Sequence, residues 1–382
     1  MRKIVCLATS PWYPIPTRKQ QVMSRIPDAE ILYFDPSVTY LAPLKDKAAR
    51  PGLSNYKKEG VHPQENITVY SLPPVLPFFY KFRWINKLNQ RRMARFVRRK
   101  MREHGFTDVL LWVYSPVTAD LVDLVPHKGL VYDCVDRHSA YGGLMDPTLV
   151  DRMELELAGK TDRTFATADA LAERLRAAQP NTVMIPNGAN FERFVQAAQP
   201  QPVPEDLRDI PHPIFGFVGA LQSCIEYNYL EAAAKARPDW SFVLIGKEKP
   251  GVDLTALHAM PNVHFLGLKP NEQLPQYLAH FDACLNLFAK SDLSKDVSPL
   301  KFYEYLATGR PIVSTKQPDQ ILQYAPLIEI ADSQEEFISA CEKSCSDTAP
   351  EQIDARIEAG RACSWDSRVA QMCGILEGQG IL

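Results

Sequence analysis

No apolar run in this 382-residue chain approaches the ~18 residues that a membrane span needs, and no internal repeat or low-complexity tract interrupts it. Neither sign of charge prevails, with 43 Lys and Arg against 45 Asp and Glu. These absences set aside a membrane-spanning protein, a solenoid, and a chain drawn to nucleic acid by its bulk charge. The eight cysteines stand apart, with no CxxC pair and no companion histidine cluster. That pattern argues against both a zinc site and a disulfide framework, and for reduced thiols. After Arg2 and Lys3 the apolar residues 4–8 give way to Pro11-Trp12-Tyr13-Pro14. This is too short for a signal peptide, so a cytoplasmic protein is expected, at most attached to the inner face of the membrane.

What is present is an ordinary globular composition, 46% apolar and 23% charged, in a length that suits two domains. Short apolar runs at 4–7, 31–34, 67–70, 109–114, 129–132, 164–166 and 183–186 alternate with longer amphipathic stretches. Strand and helix in alternation predict a parallel sheet covered on both faces. Residues 196–213 are proline-rich and polar and read as a linker, after which apolar runs resume at 214–218, 242–245, 263–266, 283–287 and 311–314. The expected fold class is α/β, two doubly wound Rossmann-like domains facing each other across a cleft. The boundaries are 1–195, a linker at 196–213, and 214–365, with a C-terminal helix over about 366–382 free to pack back on the first domain. Ligands of such sheets lie beyond the carboxyl ends of the strands.

The most informative segment runs from Asp296 to Pro311. Ser298 suits an N-cap, Pro299 the first helical position, and Gly309 with Pro311 a helix end. Lys301 is out of place there, because a cation in the first turn opposes the helix dipole. An anion such as a phosphate on the free amides of that turn, with Lys301 beside it, removes the misfit. Glu304 lies on the same helical face, where it suits the vicinal hydroxyls of a ribose. An unremarkable surface Lys-Glu pair is the other reading of the same residues.

These residues resemble the donor-site signature of retaining glycosyltransferases of the two-Rossmann GT-B type, in the group 1 or family 4 set that includes bacterial polysaccharide enzymes. Asp296 and Glu304 occupy its two acidic positions, with seven residues between them. The segment Val183-Met-Ile-Pro186-Asn187-Gly188 resembles the family's last strand before the second domain. Phe217-Val-Gly219-Ala-Leu221 and Phe242-Val-Leu-Ile-Gly246 resemble the first two strands and turns of its donor domain. The resemblance implies a nucleotide-sugar donor held by Gly219, Lys247, Ser298, Pro299, Leu300, Lys301 and Glu304, with Asp296 near the reacting sugar. It also implies transfer with retention to a glycan or lipid-linked acceptor, without a protein nucleophile. Three features depart from the pattern. The first acidic position is Asp296 rather than Glu, residues 222–226 carry no cation, and the N-terminal loop around Trp12 is aromatic rather than glycine-rich. No Asp-x-Asp occurs, so no metal and no cofactor are expected, the nucleotide-sugar being a substrate.

On the acceptor side the candidates are Trp12 and Arg18 for binding, and Asp136 or His138 for orienting or deprotonating a hydroxyl. Asp133 and Asp136 would otherwise cap a helix or pair with Arg137. Finally, Lys81, Arg83, Lys87, Arg91, Arg92, Arg95, Arg98, Arg99, Lys100 and Arg102 form a basic run with no acidic residue until Glu103. Ile85, Leu88, Phe96, Val97 and Met101 fall at helical spacing within it and are expected to pack on the sheet. The cations would then face an anionic membrane surface, with no role for nucleic acid. Two other functions fit the same features: a nucleotide-sugar epimerase of the same fold, and a catalytically silent nucleotide- or sugar-binding partner in polysaccharide assembly.

Overall fold

The computed structural model describes residues 1–143, 145–291 and 294–382. The chain divides into two compact units, one of Met1–Pro186 with Val369–Leu382, the other of Asn187–Arg368. The proline-rich stretch 196–213 is part of the second unit. Its Leu207 is buried, and its Asp206 accepts from Tyr277 Oη at 2.9 Å and pairs with Lys269 at 2.5 Å.

The first unit is built on β1 (Arg2–Leu7), β2 (Ala29–Asp35), β3 (Val61–Gln64), β4 (Ile67–Ser71), β5 (Leu110–Val113), β6 (Gly129–Cys134), β7 (Arg163–Ala166) and β8 (Val183–Met184). They pair in the order β3-β4-β2-β1-β5-β6-β7-β8, parallel except for β3 against β4. Ile4, Val5 and Cys6 of β1 are wholly buried, as expected of strands covered on both faces. Strand β3 is the exception that the sequence does not announce. It is a polar, largely exposed edge strand containing Pro63, a residue tolerated only where no ladder bond is needed. Residues at the C-terminus close the unit: Glu377 pairs with Arg2 at 2.5 Å, and Gln379 accepts from Arg163 Nε at 2.8 Å.

The second unit holds six parallel strands, β9 (Ile214–Val218), β10 (Ser241–Ile245), β11 (Val263–Gly267), β12 (Ala283–Asn286), β13 (Ile312–Thr315) and β14 (Glu329–Ala331), in the order β11-β10-β9-β12-β13-β14. Alternate residues of β9 enter separate cores, Ile214 and Val218 on one face, Phe215 and Phe217 on the other. In each sheet the strand order reverses beside the first strand, between β1 and β5 and between β9 and β12. The carboxyl ends of β1 and β9 are therefore the places where a doubly wound sheet opens to ligand.

Candidate functional site

In the second unit, β9 ends at Val218 and the chain turns at Gly219. The Gly219 amide donates to the Ile245 carbonyl at 2.8 Å, and the next turn, at Gly246, lies against it. A Cβ on Gly246, whose φ is +153°, would stand 1.7 Å from the Gly219 carbonyl oxygen. Tyr305 holds the end of β9 from the helix side, its hydroxyl oxygen accepting the Val218 amide at 2.9 Å.

That helix is Leu300–Thr308. It starts one residue later than the cap residues suggest. Pro299 is the N-cap, with ψ 89°, and the Ser298 hydroxyl accepts the Asn187 amide at 3.0 Å instead of capping the helix. The Asn187 side-chain amide also donates to the Ser298 carbonyl at 3.1 Å, so the start of the helix is fixed to the Asn187-Gly188 segment. The far end closes as expected at Gly309 in the left-handed region, φ 71°. The fully buried Arg356 seals it, donating from Nε to the Gly309 carbonyl at 2.9 Å.

Lys301 and Gly219, separated by 82 positions in sequence, meet directly. A Cβ on Gly219 would lie 2.5 Å from Lys301 Cε and 3.0 Å from Cδ. The aliphatic stem thus lies across the glycine turn. Among the described residues Lys301 and Glu304 form no ion pair with each other or with any other group, so the surface-pair reading is not what the fold adopts. Glu304 is partly buried, and desolvation pushes its carboxyl above the usual range, with Lys301 and then Arg193 drawing it back. Asp296 is nearly buried in a short turn, Ser294–Asp296, while Leu300 and Lys247 are exposed. Gly219, Lys301 and the Gly246-Lys247 turn therefore converge at the carboxyl ends of β9 and β10, beside the start of a helix.

In the first unit two of the expected acceptor contacts are drawn into the fold. Trp12 is buried with its ring edge-on to Tyr33 at 4.9 Å, and its backbone amide donates to Asp35 Oδ1 at 2.8 Å. Tyr13 of that loop is exposed but Trp12 is not, so Trp12 stiffens the loop and offers no wall to a ligand. Burial pushes the Asp35 carboxyl up to about 6, and the Trp12 amide only partly counteracts it. Arg18 is also buried. Its Nε reaches both oxygens of the fully buried Asp133, at 3.1 and 2.9 Å, and its Nη1 donates to the Pro186 carbonyl at 2.9 Å.

Asp133 is thus neither a helix cap nor a free base. The next helix, Pro147–Lys160, is capped by Asp146. Asp136 is exposed and accepts from Tyr141 Oη at 2.9 Å. His138 is 2% exposed, and burial lowers its pKa. Because its Nε2 lies 3.1 Å from the Tyr114 carbonyl, which can only accept, the neutral ring carries its proton there and keeps a lone pair on Nδ1.

The basic run forms the helix Arg83–Glu103. Ile85, Phe96, Val97 and Met101 are buried as expected, but Leu88 is exposed, and the buried stripe is completed by Asn86, Asn89, Gln90, Met93 and Ala94. Arg83 turns inward to Asp120, at 3.0 Å, and to Glu156. Arg92, Arg95, Arg98, Arg99 and Arg102 line a groove of about 450 Å³ with Tyr56 and Phe96. Phe82 and Trp84 are exposed at the start of the helix. Among the described residues no helix is long and apolar enough to cross a membrane, and no cluster of three His, Cys, Asp or Glu could hold a metal ion.

Two doubly wound sheets, with a lysine crossing a glycine turn beside a helix start in the second, have the architecture of the GT-B fold. Residues 212–347 match the family model of group 1 glycosyl transferases. Over 279 residues, 69% of this chain and 70% of the relative, the sequence is 25% identical to the putative teichuronic acid biosynthesis glycosyltransferase TuaH of Bacillus subtilis (strain 168). The fold matches sucrose-phosphate synthase of Thermosynechococcus elongatus with a TM-score of 0.70 at 14% identity, covering 99% of both chains. It also matches HepE of Anabaena, solved with UDP and glucose, with a TM-score of 0.63 at 16% identity, over 99% of this chain and 100% of that one.

Sequence reasoning missed Tyr305, Arg356 and Lys19. Nothing in their local sequence marks the first two, whose partners lie 87 and 47 positions away. Lys19 could have been noticed as the second of two adjacent cations.

Proposed function

We propose that the chain transfers a sugar from a nucleoside diphosphate sugar, with retention of anomeric configuration, to a glycan or lipid-linked acceptor presented at an anionic membrane surface. The observation that carries the donor half is Lys301, laid across the Gly219 turn with no acidic partner. An unpaired cation in the first turn of a helix opposes the dipole, and a diphosphate held by the helix amides and the ammonium together reverses that penalty. UDP is the first donor nucleotide to try, because the Anabaena relative was solved with it.

As the glycosidic bond breaks, charge builds on the departing diphosphate, where Lys301 and the helix amides stabilise it. Glu304, and Asp296 eight residues before it, suit hydroxyls of the donor. The departing phosphate oxygen takes the acceptor proton on the same face, and neither a metal nor a protein nucleophile is needed. Asp136 and the Nδ1 lone pair of His138 are the groups proposed to orient the acceptor hydroxyl. The arginine groove of the Arg83–Glu103 helix, with Phe82 and Trp84 at one end, suits contact with anionic headgroups.

Incubation with UDP-sugars, with and without acceptor glycans, tests this reading, the anomeric configuration of the product being read by NMR. Acceptor-dependent turnover with retention is expected. Turnover without any acceptor identifies an epimerase, and binding without turnover a silent partner.

A further inference from the structure

The carboxyl end of the first sheet contains a lysine that the fold does not balance. Lys19 lies in the six-residue helix Arg18–Met23 and is 8% exposed. Among the described residues it has no side-chain hydrogen bond and no ion pair. Its ammonium stands 5.7 Å from the centroid of the Tyr114 ring. A lysine this buried is rare unless it is paired, because its desolvation is costly. Burial accordingly holds its pKa down, while Asp136 and then Asp133 pull it back up.

Neither carboxylate is hydrogen-bonded or ion-paired to it among the described residues. Asp133 gives both oxygens to Arg18 Nε, and Asp136 is exposed and engaged by Tyr141. Two more buried donors in the same neighbourhood lack an acceptor, Arg18 Nη2 and the Tyr114 hydroxyl. Beside Arg18 and Lys19, the only carboxylate that hydrogen-bonds to either cation among the described residues is Asp133, and it meets Arg18 alone. His138 shares this edge, close enough that the charge of Lys19 helps lower its pKa.

We propose that Lys19 anchors an oxyanion carried by the acceptor, a carboxylate or phosphate on the sugar that receives the transferred residue, beside Asp136 and His138. This rests on the reading of the first unit as the acceptor domain and narrows that acceptor to an anionic one. A neutral glycan leaves the desolvation of the ammonium uncompensated, whereas an oxyanion meets it with charge-assisted hydrogen bonds. Placing the anion at Lys19 also fixes the neighbouring hydroxyls of the same sugar relative to the Nδ1 lone pair of His138.

The test is calorimetric titration of the full chain with four probes: methyl glucuronide, glucose 6-phosphate, methyl glucoside and inorganic phosphate. One of the two charged sugars should bind at least tenfold more tightly than the neutral glucoside, and which of them does so distinguishes carboxylate from phosphate. Lys19→Met should abolish that preference while the apo melting temperature holds or rises, since a buried charge has been removed, and Lys19→Arg should retain it. The proposal is overturned if neither charged sugar binds at millimolar concentration or if the neutral glucoside binds as well. It is equally overturned if inorganic phosphate alone binds, or if Lys19→Met keeps the preference. UDP binding, followed in the same samples, should not respond to Lys19→Met. Its absence from the wild type would count against the donor reading and leave the sugar comparison intact.

Discussion

A methyl group added at Gly219 would disturb the diphosphate site while sparing the fold. In Gly219→Ala the new Cβ falls 2.5 Å from Lys301 Cε and 3.0 Å from Cδ. Both atoms belong to the far end of a flexible side chain that makes no hydrogen bond or ion pair among the described residues, so Lys301 can swing away at little cost to stability. What is lost is the placement of its ammonium. A hydrogen bond to a charged group contributes about 1.5–3 kcal/mol, which at about 1.4 kcal/mol per decade is roughly 10- to 150-fold in UDP affinity. Lys301→Ala should lose about as much, and the double variant no more than either single one, because both act through the same ammonium. Gly246→Ala serves as the contrast: its Cβ would stand 1.7 Å from the Gly219 backbone oxygen, so it should destabilise the second unit outright. Isothermal titration with UDP, alongside thermal melts, reads all four variants. Full UDP affinity in Gly219→Ala, or additive losses in the double variant, would refute the placement of Lys301 over the turn.

Other perturbations test the first unit. Arg18→Met strands the fully buried Asp133 carboxylate and should cost about 3–5 kcal/mol, read by urea denaturation; a loss under 1 kcal/mol would mean the pair is not buried as described. Because the Asp35 carboxyl titrates near 6 when folded but near 3.9 when unfolded, the folded state binds more protons across that window. Stability should therefore fall as pH rises from about 4 to 6. Asp35→Asn, which keeps an acceptor for the Trp12 amide, should flatten that fall, and an unchanged pH profile of the melting temperature would sink the assignment. The wild type should sediment with anionic but not neutral liposomes, in a salt-sensitive manner, and Arg95→Glu with Arg98→Glu should abolish the effect; equal pelleting with both lipids would assign the groove another role.

Most strands were legible because buried parallel strands are written as short, nearly uninterrupted apolar runs, as in β1 and β9. Strand β3 was not, since an exposed antiparallel edge needs no such run and carries Pro63. The donor helix was legible from its ends, yet its start shifted by one residue because the Ser298 hydroxyl is engaged by Asn187, a partner 111 positions away. Lys301 stood out because it violates a local rule, and its position over Gly219 gives that violation a reason. Trp12 and Leu88 went the other way. Residue type and spacing suggested a ligand wall and a packed helix face, but Tyr33 took up the indole and Asn89 and Gln90 took the inner face instead. Polar residues buried through their own hydrogen bonds are invisible to a reading based on hydrophobic periodicity.

The most direct test of the central claim is the rate of UDP release from the preferred UDP-sugar, in the presence of acceptor, by Lys301→Ala compared with the wild type, with the melting temperature of each apo protein measured alongside. The account predicts at least a tenfold loss in kcat/KM for the donor and an apo protein that is no less stable, because the cation opposes the helix dipole when no anion is bound. An unchanged kcat/KM together with a clearly lower melting temperature would make Lys301 a structural residue and place the diphosphate elsewhere.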